Sequence, residues 1–313
     1  MKNELNTMKN TIALFAVLFL GAFQMQAQQD PMFSQYMFNT LSINPAYAGS
    51  ADLWTFNAIY RHQWTQFDGA PVTQTITGHG TLLGQNIGIG GSIINDKHGP
   101  IKQTGIYADA SYYIPLERSR IAFGLKAGVN FFDADLMGLS PTDGGDPVFQ
   151  SNISYKPLPN FGAGFMWYSR NHFVGLSVPK IMKNKLIDGE MPDFENNEER
   201  QHFFFTAGYV FDINSYLKFK PTFLVKAVEG APISYDVTAN FLFYEKLWVG
   251  AMYRKTDAVG GLLQYEVNRK IRIGYAYDYI LSDIGSYSPG THEIMLNVDL
   301  FNQMSGDVSP RYF

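Results

Sequence analysis

The chain has 313 residues, of which 15% are aromatic and 17% are charged, and its formal net charge at pH 7 is -4. Because it contains no cysteine, disulfides, thiol chemistry, thiolate metal sites and a lipid anchor on cysteine are excluded. The mild negative charge gives no reason to expect a nucleic-acid partner, and the abundance of Phe and Tyr is typical of β-strands.

Residues 1–27 are predicted to be an export signal peptide. Lys9 gives the segment a positive start, residues 12–23 are almost wholly apolar, and Ala27 is a small residue that suits cleavage. The apolar run is about a dozen residues long, whereas a membrane helix needs about 20. We therefore expect the mature chain to begin at Gln28. No later stretch could form a membrane helix, so the mature chain is expected either to be soluble or to cross a membrane as strands.

From residue 53 onward the sequence falls into segments of about ten residues that alternate apolar with polar or small residues. In one of them Tyr235, Val237 and Phe241 share one face. Asp236 and Asn240 share the other face. This period of two is typical of strands whose two faces meet different environments, as in a membrane barrel with a lipid side and a lumen side.

We count about fourteen predicted strands, an even number, as expected when both chain ends stay on the periplasmic side of a barrel. Their expected starts lie near Leu53, Val72, Asn86, Gln103, Arg120, Pro159, Asn171, Gln201, Ser215, Pro232, Lys246, Ala258, Lys270 and Thr291. The long polar connections, near residues 133–158, 180–200 and 282–290, alternate with tight turns. A soluble β-sandwich gives no reason for this segregation. The predicted fold class is an all-β, transmembrane outer-membrane antiparallel β-barrel.

No residue pattern predicts catalysis. The six histidines show no metal-ligand spacing, and Asp143 and Asp146 begin no full series of calcium ligands. Ser169 and His172 come closest to a nucleophile and its base on a barrel wall, but no carboxylate partner is evident. We therefore expect a protein that is not an enzyme and that needs no metal or cofactor.

The segment before the first predicted strand carries a possible helix. Phe33, Met37 and Leu41 stand at every fourth position, which predicts an apolar stripe along one face of a short helix. Pro45 would end that helix, and Gly49 would let the chain turn away from it. Such a stripe suits docking of a partner, and it equally suits packing into the lumen of the barrel. Both alternatives stay open.

Three stretches carry a family resemblance. Residues 30–50, DPMFSQYMFNTLSINPAYAGS, closely resemble the opening of the PorP/SprF family of Bacteroidota, and so do residues 291–295, THEIM, and the terminal residues 309–313, SPRYF. The resemblance covers essentially the whole mature chain. It implies an outer-membrane component of the type IX secretion system, the apparatus that exports surface adhesins and gliding proteins.

The partners implied by this resemblance are outer-membrane lipid, other type IX secretion components and the C-terminal sorting domain of a secreted adhesin, with a peptidoglycan-associated protein or lipoprotein as a further periplasmic partner. Some members look like core parts linked to the periplasmic motor, and others look like dedicated partners of one adhesin. The sequence leaves these two branches open. A passive outer-membrane porin is the alternative function.

The expected organisation is a signal peptide (1–27), a periplasmic N-terminal motif segment (28–52), a barrel (53–301) and a periplasmic C-terminal tail (302–313). The N-terminal motif and the C-terminal tail are expected at one periplasmic mouth, where aromatic and Arg side chains would form a joint docking surface. The predicted docking residues are Phe33, Tyr36, Asn44, Pro45, Tyr47, Gly49, Pro310, Arg311, Tyr312 and Phe313.

Overall fold

The computed structural model describes residues 30–51, 53–82, 86–139, 151–186 and 198–300. The predicted signal peptide and the predicted C-terminal tail, with Pro310, Arg311, Tyr312 and Phe313, lie outside the described residues, as do Asp143 and Asp146. Within the described ranges, no helix has both the length and the apolar character that a membrane span requires.

The described strands form one antiparallel sheet. They are β1 (Trp54–His62), β2 (Val72–Thr81), β3 (Ile87–His98), β4 (Ile101–Pro115), β5 (Ser119–Ala134), β6 (Ile153–Ser169), β7 (His172–Val178), β8 (His202–Tyr209), β9 (Phe211–Asn214), β10 (Leu217–Val228), β11 (Ser234–Phe243), β12 (Leu247–Arg254), β13 (Ala258–Asn268), β14 (Ile271–Ile280) and β15 (Thr291–Leu300). β8 and β9 follow one another along β10, so they act as a single interrupted strand.

The sheet closes on itself. When β8 and β9 are counted as one strand, each strand pairs with the next along the chain, and β15 returns to pair with β1. The register of that closing pair runs from Trp54 opposite Leu300 to His62 opposite His292. The result is a closed barrel of fourteen strands, which confirms the predicted fold class.

The predicted strand starts lie within two residues of the observed ones, with a single exception at β6. That strand begins at Ile153, so it includes Pro157, in the stretch where the sequence predicted a loop, as well as Pro159, where the sequence predicted its start. Proline is tolerated because β7 pairs with β6 only as far as Ala163, so the proline-bearing part of β6 has no strand partner on that side.

The wall of the barrel is apolar outside and polar inside. Leu125 is 69% exposed while its neighbour Lys126 is 4% exposed, and on β11 Val237 points outward while Asp236 and Asn240 are buried. A soluble core would show the opposite arrangement, so this one is that of a barrel with a lipid-facing surface and a polar lumen.

The barrel has two unlike mouths. One, the tight-turn mouth, carries the turns at residues 116–118, 170–171, 215–216, 244–246 and 269–270, and β15 ends there. The other, the long-connection mouth, carries the connections at residues 135–152, 179–201 and 281–290, together with shorter ones such as residues 99–100. The predicted segregation of long connections to one mouth is therefore observed.

Candidate functional site: the lumen and its internal segment

Residues 30–50, here called the internal segment, lie inside the barrel. Three short 3-10 turns shape them: η1 (Tyr36–Phe38), η2 (Thr40–Ser42) and η3 (Pro45–Tyr47). The predicted single helix is wrong, because the chain leaves helical geometry at Asn39 and again at Asn44. The residues of the predicted stripe are all buried, but they pack in three separate clusters instead of sharing one face.

A carboxylate on the last strand holds the first part of the internal segment. Glu293 accepts hydrogen bonds of 2.9 Å from the backbone N–H groups of both Ser34 and Gln35. Arg61 lies 3.0 Å from Glu293 and 3.0 Å from Asp278, and the Ser34 hydroxyl donates to Asp278. One guanidinium thus faces two buried carboxylates, and the N–H donors of the segment supply the additional stabilisation that the second carboxylate needs.

Apolar packing reinforces this contact. Phe33 is 3% exposed and packs with Ile59 and Met295 on the two strands that meet where the barrel closes. Tyr36 is equally buried, and its hydroxyl lies 3.0 Å from the hydroxyl of Thr222 on β10. The segment therefore contacts opposite walls of the lumen.

A lysine lies against the aromatic face of the internal segment. The Lys220 ammonium group lies 4.2 Å from the ring centre of Phe38 and 4.7 Å from that of Trp248. The two rings are themselves 6.0 Å apart. Lys220 and these two rings therefore join the internal segment to β10 and β12.

The Asn-Pro-Ala sequence of the motif forms the third turn. The Asn44 side-chain oxygen accepts a hydrogen bond of 2.9 Å from the Ala46 N–H, and Pro45 occupies the first position of the turn, where no N–H is needed. The Asn44 amide also donates to the Phe165 carbonyl on β6. The motif residue thus caps its own turn and fastens it to the wall.

Glycines in the wall make room for this turn. A methyl group placed on Gly124 would lie 2.1 Å from the Ala46 nitrogen, and one placed on Gly164 would lie 2.1 Å from the Asn44 side-chain oxygen. Neither distance is sterically possible. The wall strands β5 and β6 therefore need glycine at these positions because the backbone of the segment lies directly against them.

The segment ends in an equally close approach near the tight-turn mouth. Gly49 has a φ of 70°, a conformation that favours glycine, and its N–H donates to His79. Its α-carbon faces Gly88 so closely that a methyl group on Gly49 would lie 2.5 Å from it. The Ser111 hydroxyl donates to the Ala48 carbonyl over 2.6 Å. The chain then leaves the lumen and enters β1.

The lumen holds two large cavities among the described residues. The tight-turn cavity measures about 830 Å³ and is lined by residues such as Tyr47, Glu245, Arg269 and Arg272. The long-connection cavity measures about 740 Å³ and is lined by residues such as Asp30, Lys180 and Arg254, among those the structure describes. Between the two cavities lies the packed middle of the segment.

Asp30 marks the end of the segment at the long-connection mouth. Its carboxylate accepts a hydrogen bond of 2.8 Å from the Lys180 ammonium group and lies 3.5 Å from the His202 ring. Burial raises the pKa of this carboxyl, but the nearby positive charge of Lys180, followed by that of His202, outweighs burial, so its pKa lies below the ordinary value.

The chain matches a known protein family over most of its length. The model described as Type IX secretion system membrane protein PorP/SprF matches residues 25–298. The chain belongs to the PorP/SprF family. It is therefore an outer-membrane β-barrel protein of the type IX secretion system. No curated protein sequence matches the chain.

Solved structures of outer-membrane proteins resemble this PorP/SprF barrel only weakly. The outer membrane protein Omp33 of Acinetobacter baumannii is 10% identical over 80% of this chain and all of its own, with a TM-score of 0.47. The KdgM porin is 9% identical over 79% of this chain and 99% of its own, and the NanC porin is 11% identical over 80% and 100%; both have a TM-score of 0.40. At these scores the barrel assignment rests on the strand pairing of the chain itself.

The structure places six of the predicted docking residues inside the PorP/SprF barrel. Phe33, Tyr36, Asn44, Pro45, Tyr47 and Gly49 are all buried by the lumen wall. They form no exposed surface in this conformation, because the wall supplies the hydrogen-bond partners and the glycine cradle that they need. Asp30 lies at the long-connection mouth and β15 ends at the tight-turn mouth, while the C-terminal tail that was expected to meet the N-terminal motif lies outside the described residues.

Sequence reasoning missed the wall residues that hold the segment, chiefly Glu293, Arg61 and Asp278. Glu293 stands in the THEIM signature, so the signatures at residues 30–50 and 291–295 touch each other inside the lumen. A signal was present, since charged residues on the lumen face of strands have to find partners when they are buried.

The Ser169–His172 pair serves the turn between β6 and β7. The Ser169 hydroxyl lies 2.8 Å from the His172 ring and accepts from the backbone N–H groups of Asn171 and His172. These contacts are those of a side chain that stabilises a turn. In the described part of the chain, no cluster of His, Asp and Glu has the grouping needed to hold a metal ion.

Proposed function

We propose that this PorP/SprF barrel is a non-enzymatic outer-membrane component of the type IX secretion system that works by docking other proteins. It supports the secretion or surface anchoring of an adhesin-type substrate, by binding the C-terminal sorting domain of that substrate or periplasmic components of the machine. The observation that carries the proposal is the internal segment, because a lumen filled by a well-bonded piece of the chain does not suit a passive porin.

The manner in which the segment is held supports this view. Its contacts with Glu293 and the glycine cradle at Gly124 and Gly164 involve backbone atoms, so the wall is shaped to fit the path of the segment. A porin needs a continuous water-filled path, whereas here the two large cavities share no lining residue and the buried middle of the segment lies between them.

The proposed docking face is the tight-turn mouth. The C-terminal residues Pro310, Arg311, Tyr312 and Phe313 follow β15, which ends at that mouth, and Arg and aromatic side chains are those that most often dominate interfaces. The loop rule of outer-membrane barrels assigns tight turns to the periplasm, where secretion components reside. Tyr47 lines the cavity of the same mouth and shapes its floor.

Deletion of residues 309–313 tests the docking proposal. The shortened protein is expected to remain a heat-modifiable barrel in the outer membrane while losing co-purification of type IX components and surface display of the substrate. The matched control is Tyr287→Ala, which removes an aromatic side chain, 72% exposed, from the opposite mouth. Continued capture of partners by the shortened protein would refute the docking role of the tail, and loss of the barrel itself would make the tail an assembly signal.

Planar-bilayer recording distinguishes docking from the alternative of a passive porin. The purified full-length barrel is expected to be electrically silent, since the internal segment blocks the path between the two cavities. A steady conductance from that protein would favour the porin instead.

A further inference from the structure

The two ends of the internal segment contact opposite mouths of the barrel. At its start, Asp30 is bonded to Lys180, just after β7, and to His202, at the beginning of β8. These two residues flank the connection 179–201 at the long-connection mouth. At its end, Gly49 contacts His79 and Gly88, close to the tight-turn mouth. The segment thus runs through the lumen from one mouth to the other.

The cavities confirm this direction independently of the hydrogen bonds. The long-connection cavity is lined by Asp30, Pro31 and Met32, together with residues from several connections of that mouth, among them Trp64, Pro232, Lys255 and Asp257. The tight-turn cavity is lined instead by Tyr47 and Ala51, together with residues from the turns of the other mouth, among them Tyr244, Glu245, Asn268 and Arg269. Each end of the segment therefore opens into a different cavity.

In outer-membrane barrels the tight turns face the periplasm and the long connections face the cell exterior. We infer that the internal segment crosses the outer membrane inside the barrel with its N-terminal end at the cell surface, so that the mature N-terminus is displayed at the long-connection mouth while β15 ends on the periplasmic side. Gln28, the predicted mature start, precedes Asp30 by only two residues. The N-terminal end is therefore reachable from outside the cell.

The long-connection mouth is also chemically suited to hold that end. The Lys180 ammonium group bonds to Asp30, and it lies 3.9 Å from the carboxylate of Glu199 in the same connection. A partner bound at the outer face would therefore meet the start of the segment together with Lys180 and Glu199. The other end of the same segment forms the floor of the tight-turn cavity, so one stretch of chain reaches both sides of the membrane.

Cysteine labelling in cells tests this arrangement, since the chain has no cysteine of its own. The test variant is Pro31→Cys. Tyr287→Cys marks the long-connection mouth and Arg269→Cys marks the tight-turn mouth, both at exposed positions. The probe is a charged maleimide that does not cross the outer membrane, applied to intact cells and to cells with a permeabilised outer membrane.

We expect Pro31→Cys and Tyr287→Cys to be labelled in intact cells, and Arg269→Cys only after permeabilisation. Labelling of Pro31→Cys only after permeabilisation, or a reversed pattern of the two marker positions, would overturn the inference. If the cavity shields Pro31→Cys in both preparations, a short epitope inserted directly before Asp30 decides. Antibody binding to intact cells supports the inference, and binding only after permeabilisation refutes it. None of these outcomes depends on docking, so the proposed function is tested separately.

Discussion

Glu293, in the last strand of the barrel, accepts a hydrogen bond of 2.9 Å from the backbone nitrogen of Ser34, in the internal segment. The two residues are 259 positions apart, and each stands in one of the two described family signatures. A carboxylate can accept from two neighbouring N–H groups and from a guanidinium at once, and Glu293 does so with Ser34, Gln35 and Arg61. The signatures therefore describe the two sides of one contact.

Glu293→Gln is expected to loosen the internal segment. The amide offers a single acceptor oxygen, so one backbone N–H of the segment and one N–H of Arg61 lose their charged partner, at a cost of about 1–3 kcal/mol each. The compact form of the barrel should convert to the unfolded form at a lower temperature on gels. Glu266→Gln is the matched control, because it makes the same change in the lumen without touching the segment in the described residues. An equal shift in both variants would contradict the assignment.

Gly124→Val is expected to displace the third turn of the segment. The added atoms would occupy the position of the Ala46 backbone, and overpacking of this kind costs about 1–3 kcal/mol. Gly261→Val is the control, since no atom lies within 4 Å of a methyl group at that position. The measurement is the melting temperature of the purified barrel together with its bilayer conductance, which should rise only in the first variant. If Gly261→Val lowers the melting temperature as much, the cause is the loss of a glycine from a wall strand and not the close approach of the internal segment.

An arginine on the lipid face is expected to impair assembly more than one in the lumen. Leu263 is 48% exposed and Val237 is 43% exposed on the outer surface, whereas Ser234 lines the long-connection cavity. A charge near the bilayer midplane costs about 2–4 kcal/mol, and a charge in a water-filled cavity stays hydrated. The fraction of heat-modifiable protein in the outer membrane should fall for Leu263→Arg and Val237→Arg and persist for Ser234→Arg. Equal amounts of heat-modifiable protein for all three variants would contradict the assignment of a lipid face and a lumen face.

Acid is expected to release the start of the segment. Because the pKa of Asp30 is lowered in the folded barrel by the charge of Lys180, its ion pair with Lys180 stabilises the fold fully above the ordinary pKa of Asp, about 3.9, and is lost as pH falls through the lower folded value. The difference in melting temperature between wild type and Asp30→Asn should therefore be constant near neutral pH and shrink below about pH 4. Asp283→Asn, at an exposed carboxylate of the same mouth, should show no such difference. A gap that persists into acid would contradict the pairing.

The strands could be predicted from sequence because the signal is local. Alternation along β11, with Val237 outward and Asp236 inward, reflects the two solvents on either side of the wall. The exception, the early start of β6 at Ile153, also has a physical reason. Proline is a sound indication of a loop wherever both edges of a strand are paired, and β6 has a region where one edge is not.

The interior could not be predicted in the same way. The spacing of Phe33, Met37 and Leu41 fits a helix, but the hydrogen bonds that decide the conformation come from distant wall residues such as Glu293 and Thr222. No periodicity of the segment encodes those partners. The likeness to known family signatures marked residues 30–50 as a motif, and the three-dimensional structure shows that this motif lies in the lumen.

The contact between Ser34 and Glu293 also constrains the order of assembly. β1 and β15 are the first and last strands, so their pairing joins the most distant parts of the barrel sequence and is expected late in folding. The internal segment is continuous with β1 and bonds to β15, and its path is enclosed once these strands have paired. The seam and the filling of the lumen should therefore form together, with the N-terminal residues acting as the template on which the last strand closes the cylinder.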